Sequence, residues 1–403
     1  MNLEPAPIPF NRPYETGNEL TYMRVAMGNG RLAGNGPFAG RCTALLERLT
    51  GARRALMTHS CTGALEMALT LAEIGPGDEV VMPSFTFVST ANSVVTRGGT
   101  PVFVDIRPDT LCLDEARLED AVTERTKAIV PVHYAGVGCE MTTVVDFASQ
   151  RDLLVIEDAA QGIAASVDGR PLGSIGQLGA LSFHETKNVS CGEGGALLVN
   201  DDRFVERAEI IHEKGTDRQR FYRGLVDKYT WVDVGSSYVL SDLAAACLFA
   251  QLERLDTITA MRLGTWMFYN EAFAELEAEG VVQRPFVPDN AFHNAHMYYL
   301  LVADVETRTA LIEWLTDNGI NAVFHYVPLH SSAAGRRYGR AAGSFDVTTS
   351  VSDRLLRLPL WAGLPQADAL RVVNAVRVFF GLASTVAEDD AAPAPTLLRR
   401  RAV

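Results

Sequence analysis

Residues 181–195 read LSFHETKNVSCGEGG. One lysine, Lys187, stands between two apolar runs that read as strands, with Ser182 before it and Gly192, Gly194 and Gly195 after it. A lysine usually lies on a solvated helix face or polar loop, whereas strand ends hold side chains still and face ligand crevices. An amine in a partly apolar setting loses its proton more readily and becomes a nucleophile, able to form a Schiff base with an aldehyde. A lysine at a strand end that merely reaches water fits this stretch equally well.

Residues 153–161, LLVIEDAAQ, break the tie. The apolar run is that of a buried parallel strand, and open α/β sheets place ligands at the carboxyl ends of such strands, which puts Asp158 at a crevice. Between Asp158 and Lys187 (187 − 158 = 29) there is room for a hairpin-like excursion, VDGRPLGSIGQLG, and a second strand beside the first. Pyridoxal phosphate needs both groups, an amine for its aldehyde and an acid for its ring nitrogen. It also needs a phosphate cradle. SCTGA at residues 60–64 follows the strand-like RRALMTH and opens the helical run LEMALTLAEI, so backbone N–H groups around Cys61, Thr62 and Gly63 can bind an anion. A serine before a helix is more often only an N-cap. The three features together make a constellation.

From residue 9 to residue 360 the chain resembles the DegT/DnrJ/EryC1/StrS sugar aminotransferases. The motifs carrying the resemblance include GRLAGNGPF, GDEVVMPSFTFVSTANS, FVDIRPDT, VPVHYAGV, EDAAQG, SFHETKN, GEGG, DKYTW, GSSY, VFHYVPLH and LRLPL. They look like the subgroup that aminates C4 of a dTDP-linked 4-keto-6-deoxyhexose, in particular the members that form dTDP-4-amino-4,6-dideoxygalactose. The resemblance implies an α/β fold-type I transferase, with a large domain of mostly parallel mixed sheet flanked by helices and a smaller α+β C-terminal domain. The expected division is an N-terminal arm (1–20), a large cofactor domain (21–252), a small domain (253–383) and a disordered tail (384–403), the last from its proline- and alanine-rich composition.

By the same resemblance Lys187 holds pyridoxal 5'-phosphate, with pyridoxamine 5'-phosphate in the alternate half-reaction, and shuttles a proton. Asp158 pairs with the ring nitrogen, Gln161 contacts the ring hydroxyl region, and Phe87 offers an aromatic face for stacking. Ser182, Cys61, Thr62 and Gly63 hold the phosphate. Many family members carry an asparagine that reaches the phosphate from the neighbouring subunit where this chain has Ser237; either its hydroxyl substitutes or the contact moves to another residue. His184 and Glu185 of SFHETKN, Arg223, Lys228 and Tyr229 of the long polar segment before GSSY, and His325, Tyr326 and His330 of VFHYVPLH are the candidates for substrate contact. The segment's basic and aromatic residues are expected to enter the active site of the partner in a homodimer.

The bulk properties agree. A chain of 403 residues supports two lobes, and a net charge of −13 argues against nucleic acid or anionic membrane as partner. Six cysteines without CxxC spacing suit reduced thiols in the cytoplasm, and no metal cluster is expected. The glycine-dense residues 28–40 lack the spacing of a dinucleotide fingerprint. The expected substrates are glutamate and a dTDP-keto-sugar, with the gluco and galacto configurations of the product both open. Three other readings stay open: a C3 aminotransferase, a non-catalytic binder, and a pyridoxamine-dependent sugar dehydratase. Lys187 opposes the last, because the dehydratases of this fold carry histidine there.

Overall fold

The computed structural model describes residues 6–383; the tail expected to be disordered and residues 1–5 of the arm lie outside them. Apolar runs closed by turn residues become β1 (Arg54–Thr58), β2 (Glu79–Pro83), β3 (Thr100–Val104), β4 (Thr126–Ile129) and β5 (Leu154–Asp158). The excursion after β5 is a short hairpin, β6 (Ser166–Val167) and β7 (Arg170–Pro171), and the chain returns through β8 (Leu178–Ser182) and β9 (Gly195–Val199). All residues of β2, β8 and β9 are buried, as in strands covered on both faces.

The eight-stranded sheet runs β1-β9-β8-β5-β4-β2-β3-β13, the last being the two-residue strand Arg340–Ala341 from the C-terminal region. β5 and β8 pair in parallel with Asp158 opposite Ala180, so the acid and the segment leading to Lys187 leave the sheet at the same edge. β9 is antiparallel to both its neighbours, β1 and β8. A buried carboxylate fixes the return between β5 and β8. Glu157 accepts from the backbone N–H groups of Gly173 (2.8 Å), Ile175 (2.5 Å) and Gly176 (2.7 Å) and lies 2.8 Å from His133 Nε2. His133 Nδ1 accepts the Cys139 N–H at 3.2 Å, which leaves the imidazole proton on Nε2 to meet that carboxylate.

The C-terminal region contributes β10 (Ala291–Phe292), β11 (Tyr298–Leu301), β12 (Val323–Phe324), β13 (Arg340–Ala341) and β14 (Leu355–Leu358). β11, β14 and β12 form a small antiparallel sheet whose core includes Trp266, Tyr269, Phe273 and Leu311. β13 instead pairs in parallel with β3 and completes the edge of the large sheet, a crossing that the division at residue 252 did not contain. After Ser241, whose side chain caps the first of them, the chain forms two helices, Asp242–Leu252 and Leu255–Ala272. VFHYVPLH has two strand residues, Val323 and Phe324, because His325 and Tyr326 turn toward a cavity and Pro328 lacks the N–H that a ladder needs. The arm is tied to the small domain, with Ile8 N donating to Gly319 O and Asn321 N to Ile8 O.

Candidate active site

A cavity of about 770 Å³ opens between the carboxyl ends of the central strands and the small sheet. Lys187 reaches it from the loop between β8 and β9. That loop is closed at its neck by Phe183 N donating to Gly194 O (2.8 Å) and shaped by Lys187 N donating to His184 O (2.9 Å). Burial lowers the Lys187 pKa, while the nearby Cys61 and Asp158 hold it up and Arg357 pushes it down. The net shift is downward, toward an amine that gives up its proton more readily than an exposed lysine.

Asp158 faces the same cavity from the end of β5. Its Oδ2 accepts from Thr90 Oγ1 at 2.7 Å and its Oδ1 from the Ala160 N–H at 3.2 Å. Gln161 is locked from both ends: Oε1 accepts the Ala135 N–H at 2.6 Å, and Nε2 donates to the Tyr326 hydroxyl at 3.3 Å. The bond to Tyr326 joins the two domains across the cavity.

At the start of the helix Cys61–Leu71, Ser60 Oγ accepts the Gly63 N–H at 3.1 Å. The N–H groups of Cys61 and Thr62, the first two helical positions, have no intrahelical acceptor and lie in the cavity wall with Ser182. Gly195 packs against this turn so closely that a Cβ there would lie 2.5 Å from Cys61 N. Helix start and lysine loop are thereby clamped together.

An amine facing the cavity, a buried oriented acid and orphan N–H donors, in a cavity of ligand size, fit the donor set that pyridoxal phosphate requires. Lys187 would hold its aldehyde, Asp158 its ring nitrogen, and the helix start with Ser182 its phosphate. Phe87 is 57% exposed on the wall, so its aromatic face is open to a ring.

Of the remaining candidates, His184, His325 and Tyr326 line the cavity. Gly63 lies behind it, against His59 and Tyr238. Glu185 offers its carbonyl to Asn11 Nδ2 at 3.1 Å and points its side chain to solvent. His330 lies outside the wall, with Nδ1 2.7 Å from Ser84 Oγ and its ring stacked on Phe345 at 3.9 Å. Arg223 pairs with Glu209 at 2.7 Å, Tyr229 packs on Phe221, and Lys228 and Ser237 are exposed away from this chain's cavity.

Arg357, His296, Phe10, Asn11 and Ser89 line the cavity without having been singled out from the sequence. For Arg357 a signal existed, since a lone arginine inside the apolar strand LLRLPL must reach something polar. His296 is fixed by Asn188, the neighbour of Lys187, through a 2.8 Å contact from Nδ1 to Asn188 Oδ1. Burial, with Lys187, Arg262 and Arg357 adding to it, holds this imidazole neutral.

The sequence profile of the DegT/DnrJ/EryC1/StrS aminotransferase family matches residues 13–377. The spore coat polysaccharide biosynthesis protein SpsC of Bacillus subtilis is 34% identical over 378 residues, which is 92% of this chain and 96% of SpsC. Among solved structures, the aminotransferase TlmJ from Streptoalloteichus hindustanus superposes with a TM-score of 0.84 at 29% identity, covering 93% of this chain and 98% of TlmJ. Spr1654 from Streptococcus pneumoniae in its PLP-form gives 0.85 at 25% identity, over 93% of this chain and 98% of the other. The same protein in its PMP-form also gives 0.85.

Proposed function

Because the chain belongs to the DegT/DnrJ/EryC1/StrS aminotransferase family, we propose that it moves an amino group from glutamate to C4 of a dTDP-4-keto-6-deoxyhexose, giving a dTDP-4-amino-4,6-dideoxyhexose. Pyridoxal phosphate dependence belongs to the family as a whole. The finer assignment rests on the motifs shared with the C4-aminating subgroup, and the observation that carries the chemistry is that Lys187 and Asp158 face one cavity.

When bound, the cofactor supplies an electron sink for the negative charge that develops at the donor's α-carbon. Lys187 Nζ, its pKa lowered by burial, takes the proton from that carbon and returns it, as general base and then general acid. Asp158, oriented by Thr90 and Ala160, holds the ring nitrogen's proton in place. Gln161 and Tyr326 bridge the domains at the site through their hydrogen bond. The keto sugar accepts the amine in the second half-reaction, so ping-pong kinetics are expected.

A homodimer completes this reading. Its support is a set of exposed apolar side chains, Leu20 and Met27 of one helix and Tyr222, Leu225, Tyr229 and Trp231 of the long polar segment. The segment bearing Arg223, Lys228 and Ser237, anchored on its own chain by the Arg223–Glu209 pair, is the part that this reading places at a partner's cavity. The six unpaired cysteines favour a reducing compartment, hence the cytoplasm, and no helix among the described residues is long and apolar enough to cross a membrane.

The test is incubation of the purified protein with glutamate and a dTDP-4-keto-6-deoxyhexose, with the product's regiochemistry and stereochemistry solved by NMR. An amine at C4 supports the reading, and an amine at C3 or none overturns it.

A further inference from the structure

His296 is a fixed imidazole with one nitrogen left over. It stands two residues before β11, is 9% exposed, and lines the cavity that also holds Lys187. Its Nδ1 lies 2.8 Å from Oδ1 of Asn188, the residue after Lys187. The Asn188 amide is oriented by its other end, where Nδ2 donates to Asn294 O at 2.9 Å. Oδ1 is therefore the acceptor, and the imidazole proton sits on Nδ1. Burial, with the charges of Lys187, Arg262 and Arg357, keeps a second proton off the ring. Nε2 thus carries a lone pair. It has no hydrogen-bond partner among the described residues, yet it is not sealed in the interior, so it opens on the cavity.

The ring cannot easily leave this position, because the backbone on which it stands is pinned from both domains. Asn294 Nδ2 donates to the carbonyls of Gln161 and Ile163, each at 2.7 Å, which ties the segment to the turn after Asp158. Arg262 donates to the carbonyls of Ala295 (3.0 Å) and His296 (2.6 Å) from the helix Leu255–Ala272. An acceptor held in this way recognises one donor in one place.

The chemistry of the two substrates decides which donor that is. Glutamate, with its amine engaged at the cofactor, presents two carboxylates, and their oxygens repel an imidazole lone pair. A keto sugar presents hydroxyl groups, which donate. Because the imidazole is bonded to the neighbour of Lys187, the hydroxyl it meets is one beside the reacting carbonyl. Around C4 of a 6-deoxyhexose that is the hydroxyl on C3, since C5 carries the ring oxygen and the methyl group.

We propose that His296 Nε2 accepts a hydrogen bond from the C3 hydroxyl of the keto sugar and makes the enzyme prefer sugars that carry it. The assignment rests on the proposed amination at C4 and deepens it. His296 is then a specificity residue of the sugar half-reaction, while its Nδ1 braces the lysine loop in both.

The experiment uses the amine-loaded enzyme with dTDP-4-keto-6-deoxyglucose and with its 3-deoxy analogue. Return of the cofactor's visible band reads the sugar half-reaction. The wild type is expected to prefer the 3-hydroxylated sugar by about 10-fold or more in rate constant per unit concentration, the scale of one buried hydrogen bond left unmade. H296N keeps an N–H against Asn188 and removes the cavity acceptor, so its preference is expected to shrink to about 2-fold or less. H296Q returns an acceptor to the place of Nε2 and is expected to regain part of the preference. A histidine that only braced Asn188 would slow both sugars equally in the variants and leave their ratio unchanged. A wild type without preference overturns the assignment, as does H296N with the full wild-type preference. If H296N fails to load cofactor, H296F, which also lacks the acceptor, carries the comparison. A wild type that aminates neither sugar overturns the proposed function beneath the assignment, an outcome visible before any variant is made.

Discussion

Thr90 Oγ1 donates a 2.7 Å hydrogen bond to Asp158 Oδ2, across 68 residues of sequence. Thr90 lies in the first turn of the helix Val88–Thr96 and Asp158 at the end of β5, so a helix after one strand orients the acid at the end of another. The opposite oxygen is held by the Ala160 N–H, and the carboxylate has one orientation toward the cavity.

Asp158→Asn keeps the shape and removes the charge that stabilises a protonated ring nitrogen. The turnover rate is expected to fall on the order of 10²-fold or more while cofactor still binds, the scale of losing one aimed electrostatic group. Thr90→Val leaves the carboxylate and removes one donor, so a smaller loss in the same direction is expected. Steady-state kinetics of both variants, with cofactor content measured by absorbance, checks this.

The lowered pKa of Lys187 has a stability consequence in the cofactor-free protein. The unfolded chain binds the lysine proton more tightly than the folded one, so this group's contribution to stability rises with pH from the depressed folded value toward the ordinary 10.5. Lys187→Met removes that dependence. Melting temperatures of the two cofactor-free proteins across neutral to alkaline pH are expected to show an advantage of the variant that shrinks as pH rises.

Gly195→Ala tests the clamp between helix start and lysine loop. The new Cβ meets Cys61 N and the Ser60 carbonyl carbon, backbone atoms that cannot swing away, so the orphan N–H groups must move. A loss of roughly 1–3 kcal/mol in stability is expected from overpacking. Weaker pyridoxal phosphate binding in an equilibrium titration is expected with it.

Much of this site was legible because strand chemistry is local. The runs around Asp158 and Lys187 announce buried strands, and the stretch between them is long enough for the β6–β7 hairpin. His330 and Arg357 show where locality ends. His330 reads as a substrate ligand from its motif, yet Ser84 and Phe345, from distant parts of the chain, occupy its ring. Arg357 reads as an exception within an apolar strand, and only the packing of Phe10 and the small sheet around it shows that its donors face the cavity. The placement of β13 on the large sheet is equally non-local, since two residues carry no pattern of their own.

Trp231 is 77% exposed, among the apolar side chains proposed to meet a second copy. Trp231→Glu places a charge where an apolar interface core is expected. Sedimentation of the variant is expected to show a shift from dimer toward monomer with loss of activity. A wild-type protein that sediments as a monomer contradicts the dimer.

The most direct measurement is borohydride reduction of the enzyme loaded with pyridoxal phosphate, followed by peptide mass mapping. The account predicts one reduced adduct, on the peptide containing Lys187, and none in Lys187→Ala. An adduct on another lysine, or no adduct in the wild type, contradicts it.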